Sequence, residues 1–203
     1  MTKVVADISI SLDGFVTGPE PDEANGLGVG GDPLHTWAIA SDDPVDAAVL
    51  WASTERSAAV VMGRRLFDIV DGPDGWNDEM GYGAAHAATP PFFVVTHQVP
   101  DHVRLDLDIS FVTDGIEAAV DQARDTAEVL ADDGARDVVI MGGGQVIREA
   151  LAAGVVDELV IHLAPVVLGG GTPLFDGGPP AVLVQRDVQV SSTATHLTYD
   201  VVR

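Results

Sequence analysis

A run of three glycines between an apolar segment and a helix is the part of this sequence best suited to chemistry. In VVIMGGGQVI, at 138–147, the apolar residues predict a buried strand and the helix begins directly after the glycines. Glycine lets a backbone approach a phosphate closely, and the first N–H groups of a helix attract an anion. The alternative is a tight turn that needs positive φ. Three consecutive glycines exceed what a turn requires, so we expect a phosphate site at Gly142, Gly143 and Gly144.

This segment does not match the dinucleotide-binding fingerprint G-x-G-x-x-G. The third glycine of that pattern falls at Ile147, and the acidic residues Asp157 and Glu158 come too early for the ribose contact. The segment also follows a late strand of the chain instead of the first. The sequence therefore predicts a nucleotide that is bound in another way.

An arginine pair follows a second buried strand. In VVMGRRLF, at 60–67, Gly63 ends the strand and Arg64 and Arg65 begin a helix. Arginine suits bidentate recognition of phosphate, and the 2′-phosphate of NADPH is one candidate ligand. The alternative is a surface pair that balances Asp68 and Asp71.

Two further strand ends carry polar or glycine-rich segments. FFVVTH, at 92–97, ends in Thr96 and His97, which can contact ribose or phosphate, and PVVLGGGTPLF, at 165–175, is a loop of the kind that lines ligand crevices. His162 lies on an apolar strand, and we interpret it as a buried, hydrogen-bonded histidine instead of a ligand.

Several other chemistries are excluded by residue type. The chain has no G-x-S-x-G elbow and no H-E-x-x-H, and Lys3 is its one lysine, so a Walker lysine is impossible. No cysteine is present, which excludes disulfides and thiolate zinc sites. We predict no metal site.

Alternating strand and helix patterns position these segments. We predict an α/β three-layer sandwich with a central, mostly parallel sheet, as one domain over 1–203. The expected strands are 4–12, 58–63, 90–96, 109–113, 137–142 and a long one at 156–171, with two antiparallel C-terminal strands at 181–190 and 195–203 closing the sheet. The expected helices are 45–57, 64–70, 115–131 and 143–154, and residues 14–33 are expected to form an irregular loop.

Composition restricts the partners. The 203 residues include 10 Lys+Arg against 32 Asp+Glu, a formal net charge of −22, with 24 Asp and 8 Glu. A polyanion would be repelled, so we expect no nucleic acid, and no segment is apolar enough for a membrane helix. The N-terminus lacks the pattern of a signal peptide. The excess of Asp and the near-absence of lysine favour a halophilic, cytoplasmic protein over one that merely has a solvated acidic face.

Taken in order, the segments resemble the dihydrofolate reductase-like superfamily, and within it the reductase domain of the bacterial riboflavin-biosynthesis deaminase/reductase. The resemblance rests on SLDGFVTG, VVMGRRLFD, FFVVTHQ, VVIMGGGQVI and VDELVIHLAPVVLGGGTPLF, which extend from residue 11 to residue 175. It implies an NADPH-dependent reductase that transfers a hydride to a C=N or C=O group of a small pterin, pyrimidine or related substrate. The alternative is a non-catalytic nucleotide- or flavin-binding module on the same fold.

The resemblance also implies roles for individual residues. Gly142, Gly143, Gly144, Gln145 and Val146 would hold the pyrophosphate. The adenosine side and its 2′-phosphate would contact Gly63, Arg64, Arg65, Thr96 and His97. Phe15 and Val16 would approach the nicotinamide, and relatives suggest a homodimer.

The proton donor has two candidates. Trp37, expected on the substrate side, is followed five residues later by Asp42, as in folate reductases, but Asp43 and Pro44 then favour a loop or a helix cap. Asp13 follows the first strand, beside the expected nicotinamide, and its alternative role is to cap the turn before Gly14. No second basic cluster for a ribose-phosphate and no deaminase domain are seen, which argues against the riboflavin step itself.

Overall fold

A computed structural model describes residues 2–77, 80–82, 89–130 and 137–202. Its strands are β1 (Val4–Ser11), β2 (Phe15–Thr17), β3 (Ser57–Gly63), β4 (Phe92–Val95), β5 (Ile109–Val112), β6 (Asp137–Ile140), β7 (Glu158–Ala164), β8 (Thr172–Pro173), β9 (Val182–Val190) and β10 (Thr195–Val202). Its helices are α1 (Thr36–Ile39), α2 (Pro44–Arg56), α3 (Arg64–Asp71), α4 (Gly115–Leu130) and α5 (Gly144–Ala152), and a 3₁₀ turn covers Asp32–His35.

Eight strands form one sheet in the order β5-β4-β3-β6-β1-β7-β10-β9. The six strands from β5 to β7 are parallel. At the side of β7, β10 pairs antiparallel with β7, and β9 pairs antiparallel with β10. This confirms the predicted α/β fold with a mostly parallel sheet and antiparallel C-terminal strands. Because the six strands are parallel, their carboxyl ends lie along one edge of the sheet, which we call the carboxyl edge.

Helices cover both faces of the sheet. The face that carries Val4, Ala6 and Ile10 packs against α4 and α5. The opposite face packs against α3 through Phe67 and Val70, and α2 lies on that same face, where Ser53 donates a hydrogen bond to Asp7. The three layers therefore follow the alternation of side chains along each strand.

The sequence of 115–131 predicts an amphipathic helix with one apolar stripe, formed by Ile116, Val120, Ala123, Ala127 and Leu130. The first four of these residues are buried in α4, but Leu130 is 56% exposed. Leu130 is the last residue of the helix that the structure describes.

Two predictions about strands need correction. The long strand expected over 156–171 ends at Ala164, because Pro165 has no N–H and Val166 donates to the carbonyl of Ala164 in a tight turn. The segment 14–33, expected to be irregular throughout, contains β2, which pairs with β8 to form a second, two-stranded sheet. The prediction of a single domain over 1–203 stays a prediction.

Basic residues gather on a buried carboxylate at the sheet edge opposite the carboxyl edge. Glu158 accepts hydrogen bonds from Lys3, Arg56 and Arg186 at 2.9–3.1 Å. Burial alone would raise the pKa of Glu158, but the positive charges of Arg56 and Lys3 hold it below its usual value. This cluster occupies three of the few cations in the chain, so they are unavailable to a ligand at the carboxyl edge.

Among the described residues, no helix is long and apolar enough to cross a membrane.

Candidate active site at the carboxyl edge

The sheet topology brings the predicted segments together. The strands β4, β3, β6, β1 and β7 lie side by side in that order. At or just after their carboxyl ends lie, in the same order, Thr96, Gly63, Gly142, Ser11 and Ala164. The N–H of Gly63 donates to the carbonyl of Gly142 at 3.0 Å, which joins the arginine segment to the glycine run directly. Gly63 and Gly142, which are 79 residues apart along the chain, thus become parts of one surface.

The glycine run is built for close backbone approach. Gly142 has φ of 124°, the Gly142–Gly143 peptide bond is cis, and Gly143 caps α5 without a side-chain hydrogen bond. A Cβ on Gly63 would lie 2.6 Å from Cγ2 of Val146, and one on Gly144 would lie 3.0 Å from Cγ2 of Val16. The amide groups of the first α5 turn, at Gly144, Gln145 and Val146, have no side-chain cap as acceptor. Unsatisfied N–H groups of this kind suit an anion such as a pyrophosphate.

The two arginines differ in their surroundings. Arg64 donates to Asp68 at 2.6 Å and to the carbonyl of Gln98 at 2.6 Å, and its Nη1 lies 3.4 Å from the hydroxyl of Thr96. Arg65 donates to the carbonyl of Pro21 in the segment between β2 and the 3₁₀ turn. Asp68 therefore does pair with Arg64, as the alternative interpretation held. Asp71 does not take part, because it accepts from the backbone of Arg104 and Leu105.

The residues after β4 lie beside Arg64. Thr96 is buried and donates to the carbonyl of Gln98 at 2.8 Å, while His97 is exposed. The predicted adenosine-side residues thus lie together on the described surface. Their contacts with a cofactor remain predictions.

The residues predicted to approach the nicotinamide lie in the two-stranded sheet. Phe15 pairs with Pro173, and the N–H of Leu174 donates to the carbonyl of Gly14 at 2.9 Å. Val16 is buried and lies against Gly144. Their part of the surface is therefore continuous with the glycine run.

Asp13 is held by several hydrogen bonds. Its carboxylate accepts from the hydroxyl of Ser11 at 2.6 Å and from the N–H groups of Leu168 and Gly169 at 3.1 and 2.7 Å. These bonds, that of Ser11 foremost, lower the pKa of Asp13 to about 2. The carboxylate is therefore ionised at neutral pH and joins the turn after β1 to the loop after β7. This arrangement supports the turn-stabilising alternative for Asp13.

Asp42 and Trp37 lie apart in the segment between the 3₁₀ turn and α2. Asp42 is exposed between α1 and α2, and it is the following residue, Asp43, that caps α2 by accepting from the N–H of Val45 at 2.9 Å. Trp37 is buried, and its indole N–H donates to the hydroxyl of Ser9 at 2.9 Å. The structure thus places Trp37 on the same face of β1 as Ser11, and it shows no contact of Asp42 with the carboxyl edge.

Sequence reasoning missed two sets of residues. Arg148, one turn into α5, donates to the carbonyl of Pro173 at 2.6 Å and lies 3.6 Å from where a Cβ of Gly144 would be, so it adds positive charge beside the glycine run. The second set is the polar face of β1, formed by Asp7, Ser9 and Ser11. The alternation D-I-S-I-S could have revealed that face, since residues two apart on a strand point the same way.

The sheet order, the antiparallel C-terminal strands and the glycine-rich carboxyl edge define a fold of the dihydrofolate reductase-like class. Within that class the chain belongs to the RibD C-terminal domain family, whose model matches residues 2–199. This confirms the resemblance inferred from the motifs, and the family is associated with reductase activity.

Solved structures show the same fold at low sequence identity. A Shewanella sp. PV-4 protein named for a role in riboflavin biosynthesis is 23% identical, with a TM-score of 0.69 and 100% of both chains covered. A pyrimidine reductase-like protein from Corynebacterium diphtheriae is 17% identical, with a TM-score of 0.64, covering 100% of this chain and 92% of that one. The deaminase/reductase of Thermotoga maritima is 14% identical, with a TM-score of 0.60, and the match covers 99% of this chain and 57% of that protein.

One curated relative matches as well. The Bacillus subtilis protein YyaP, which is described as uncharacterized, is 22% identical over 179 residues, 85% of this chain and 80% of YyaP. The family thus rests on the family model, and the solved structures share the fold.

Proposed function

We propose that this protein is an NADPH-dependent reductase that transfers a hydride to a C=N or C=O group of a small pterin-, pyrimidine- or related heterocyclic substrate. One observation carries the proposal: an uncapped helix start after three glycines lies beside an arginine pair at one sheet edge, in a chain of net charge −22. An anionic dinucleotide needs such local positive potential to bind to a protein this acidic.

The chain's own residues fit a phosphate-bearing dinucleotide. The amides of Gly144, Gln145 and Val146 would hold the pyrophosphate, with Gly142 and Gly143 allowing close approach. The adenosine side would be held by Gly63, Arg64, Arg65, Thr96 and His97, and the nicotinamide would lie by Phe15 and Val16. When bound, NADPH would supply the hydride.

Reduction of a C=N or C=O group also needs a proton on the nitrogen or oxygen. Asp13 and Asp42 are the proposed donors, and they differ in what their carboxyl groups contact. Asp13 is held ionised by Ser11 and by two backbone N–H groups, and Asp42 is exposed. A donor must be protonated when it acts, and the hydrogen bonds that hold Asp13 ionised oppose that role. Asp42 would have to deliver its proton through solvent, since the described structure shows no contact between it and the carboxyl edge.

Titration of purified protein with NADPH and NADH in high salt tests the cofactor, and oxidation of NADPH in the presence of pterin, aminopyrimidine and quinone acceptors tests the reaction. Binding of NADPH with hydride consumption supports a reductase. Binding without consumption by any acceptor supports the non-catalytic nucleotide module. Failure of both nucleotides to bind rules out the proposal.

Substitution of the two carboxylates should separate their roles. If Asp42 is the donor, Asp42→Asn lowers kcat by about 10²-fold or more with unchanged NADPH affinity. Asp13→Asn should act differently: the loop at Leu168 and Gly169 loses its carboxylate acceptor, so the protein becomes more sensitive to proteolysis there. Equal losses of kcat in both variants, without loop cleavage, would contradict this assignment.

We also propose that the protein is adapted to high salt. The described acidic side chains are largely on the surface, and their mutual repulsion is screened as the Debye length falls from about 10 Å at 0.1 M salt to about 3 Å at 1 M. The melting temperature should rise by about 5 °C or more over that range of KCl. The rise should level off above about 1 M, because screening is then complete. A rise that continues linearly and is larger in sulfate would instead indicate preferential exclusion of the salt.

A homodimer and a cytoplasmic location complete the proposal. The edge strand β9 exposes Val182, Val184, Val188 and Val190. Such an edge is a surface on which a second chain could pair. Light scattering should give twice the 21.1 kDa of one chain, and a monomer mass would refute the dimer. The cytoplasmic location rests on the composition, which favours a high-salt cytosol, and on the family resemblance.

A further inference from the structure

Four side chains from four elements form a continuous chain of hydrogen bonds beneath Trp37. Nε2 of His162 in β7 lies 2.8 Å from Oδ1 of Asp7 in β1, and its Nδ1 lies 2.7 Å from Nδ1 of His196 in β10. Nε2 of His196 lies 2.8 Å from Oδ1 of Asp46 in α2. His162, His196 and Asp46 are 1%, 4% and 1% exposed, so water does not compete for these bonds.

The chain can be complete only if it holds three protons. Each of its three contacts joins two atoms that both have lone pairs, so each contact needs one proton between them. Two neutral imidazoles and two carboxylates bring only two protons. One ring is therefore an imidazolium, or one carboxyl group is protonated.

Both carboxyl groups favour the ionised form. Burial alone would raise the pKa of Asp7, but the charge and hydrogen bond of His162 outweigh burial and lower it. Burial would likewise raise the pKa of Asp46, yet hydrogen bonds from Ser41, Thr193 and His196 lower it to about 2. The third proton is therefore on a ring.

The charged ring is His162. Burial lowers the pKa of His196, the hydrogen bond to Asp46 opposes this, the positive charge of His162 adds to the lowering, and the net pKa is below the ordinary value. With His162 doubly protonated, it donates to Asp7 and to Nδ1 of His196, and His196 donates from Nε2 to Asp46. A second cation would set two N–H groups against each other across 2.7 Å, so the pair holds one positive charge.

Other ionisable groups face the chain from the surrounding elements. His35 of the 3₁₀ turn is near His162, and burial together with that charge lowers its pKa. The positive charge of Arg56 in α2 helps to lower the pKa of Asp7. Tyr82, whose hydroxyl lies 2.6 Å from that of Ser57, has its pKa raised by burial, so it stays neutral.

The imidazolium lies against the indole of Trp37. The ring centroids of Trp37 and His162 are 3.9 Å apart at 30°, and Trp37 meets the edge of His196 at 5.2 Å. A cation over an indole face is attracted to it, the more so when desolvated. The indole N–H is bonded to Ser9, two residues before Ser11 on the same face of β1.

We propose that the side chains of Asp7, His162, His196 and Asp46 form a buried hydrogen-bonded chain that shares three protons and has a single imidazolium, at His162. This positive charge holds the Trp37 side chain in place against β1, beside the carboxyl edge. The chain acts on the reaction only through Trp37, and in that respect alone it rests on the proposed function. Its protonation and its hold on Trp37 are properties of the protein without cofactor or substrate.

Acid should weaken the chain. The pKa of His196 is lower in the folded protein than its value of about 6.5 in the unfolded protein. Just below pH 6.5, His196 therefore binds more protons in the unfolded protein than in the folded one. The contribution of His196 to stability is therefore present above about pH 6.5 and is lost as the pH falls through its folded pKa.

Two isosteric variants separate the charge from the hydrogen bonds. In Asp7→Asn, the amide can donate to a bare Nε2 of His162, so the chain stays bonded with both rings neutral. In Asp46→Asn, the amide oxygen still accepts from His196 and the imidazolium keeps its Asp7 partner. The two substitutions remove the same charge from opposite ends of the chain.

The test is proton counting on the full ¹⁵N-labelled protein at about pH 6, near the ordinary histidine value. Long-range ¹H–¹⁵N spectra distinguish protonated from bare ring nitrogens. Wild-type protein and Asp46→Asn should show three protonated nitrogens among the four of His162 and His196, and Asp7→Asn should show two, in keeping with the three contacts. The indole N–H signal of Trp37 should shift in Asp7→Asn, while those of Trp51 and Trp76 stay in place.

The wild-type count alone can overturn the proposal. Two or four protonated nitrogens in the wild-type protein would do so, as would loss of the third proton in Asp46→Asn with its retention in Asp7→Asn. An unshifted Trp37 signal would refute the positioning role. If an acceptor that the protein reduces is found, Asp7→Asn should raise the KM for that acceptor several-fold and leave the affinity for NADPH unchanged. The absence of any reductase activity would refute the proposed function. The proton count would still decide whether the buried chain exists as proposed.

Discussion

Replacing Arg64 with alanine is expected to weaken NADPH binding by about 10- to 100-fold and to leave NADH binding nearly unchanged. A hydrogen bond to a charged group contributes roughly 1.5–3 kcal/mol, and every 1.4 kcal/mol is a factor of about ten in affinity. Only NADPH carries the 2′-phosphate, so the loss should fall on that nucleotide. Dissociation constants for both nucleotides, measured in the same high-salt buffer, give the result.

A matched control is Arg124→Ala. Arg124 lies in α4, near Asp121 and Asp157, and its removal changes the net charge by the same amount away from the carboxyl edge. If Arg64→Ala weakened NADPH binding and NADH binding equally, Arg64 would have no role in binding the 2′-phosphate. If Arg64→Ala and Arg124→Ala weakened NADPH binding equally, only the net charge of the protein would matter. The fold should tolerate Arg64→Ala, since the partly exposed pair with Asp68 contributes at most about 1 kcal/mol.

Gly63→Ala is expected to destabilise the protein by about 1–3 kcal/mol, because overpacking of a tight contact has that effect. The new methyl group would lie 2.6 Å from Cγ2 of Val146, at the point where the end of β3 meets the start of α5. Relief of the clash would push α5 away from β3. NADPH binding should weaken together with the free energy of unfolding, which urea denaturation measures.

Val146→Ala provides the rescue. In a double-mutant cycle the two substitutions should be coupled by about 0.5–3 kcal/mol, because the second removes the methyl group that the first strikes. Gly170→Ala is the control near the same edge, since its Cβ would meet only Pro19 at an ordinary 3.7 Å. Additive effects of Gly63→Ala and Val146→Ala, or a Gly63→Ala protein as stable as wild type, would refute this account of the contact.

The candidate site was predictable to the extent that it consists of strand ends. Gly142 to Gly144, the pair Arg64 and Arg65, and Thr96 each follow an apolar strand pattern, and parallel strands that end in such residues place them at one edge. The partners of these residues were not predictable. Whether Arg64 pairs with Asp68 depends on the rotamers of the two side chains, because a four-residue spacing in one helix permits the pair without requiring it.

The buried chain shows the limit most clearly. His162 was correctly predicted as a buried and hydrogen-bonded histidine, but its partners Asp7, His196 and Asp46 lie 155, 34 and 116 residues away in the chain. Their meeting depends on the β7–β10 register, which sets His196 directly opposite His162, and on the packing of α2 against β1. A one-residue slip in that register would turn the two rings to opposite faces.

The sequence by itself determined the class of fold, the family, and the segments that form the carboxyl edge, because these follow from local patterns of apolar residues, glycine and charge. Only the tertiary structure decided that Asp13 is held ionised by the loop after β7, that Gly63 packs against Val146, and that one buried proton chain lies beneath Trp37. The reason is physical. Hydrogen bonds and close contacts between distant segments depend on register and helix packing to within about an ångström, whereas periodicity in a sequence specifies only which face a residue occupies.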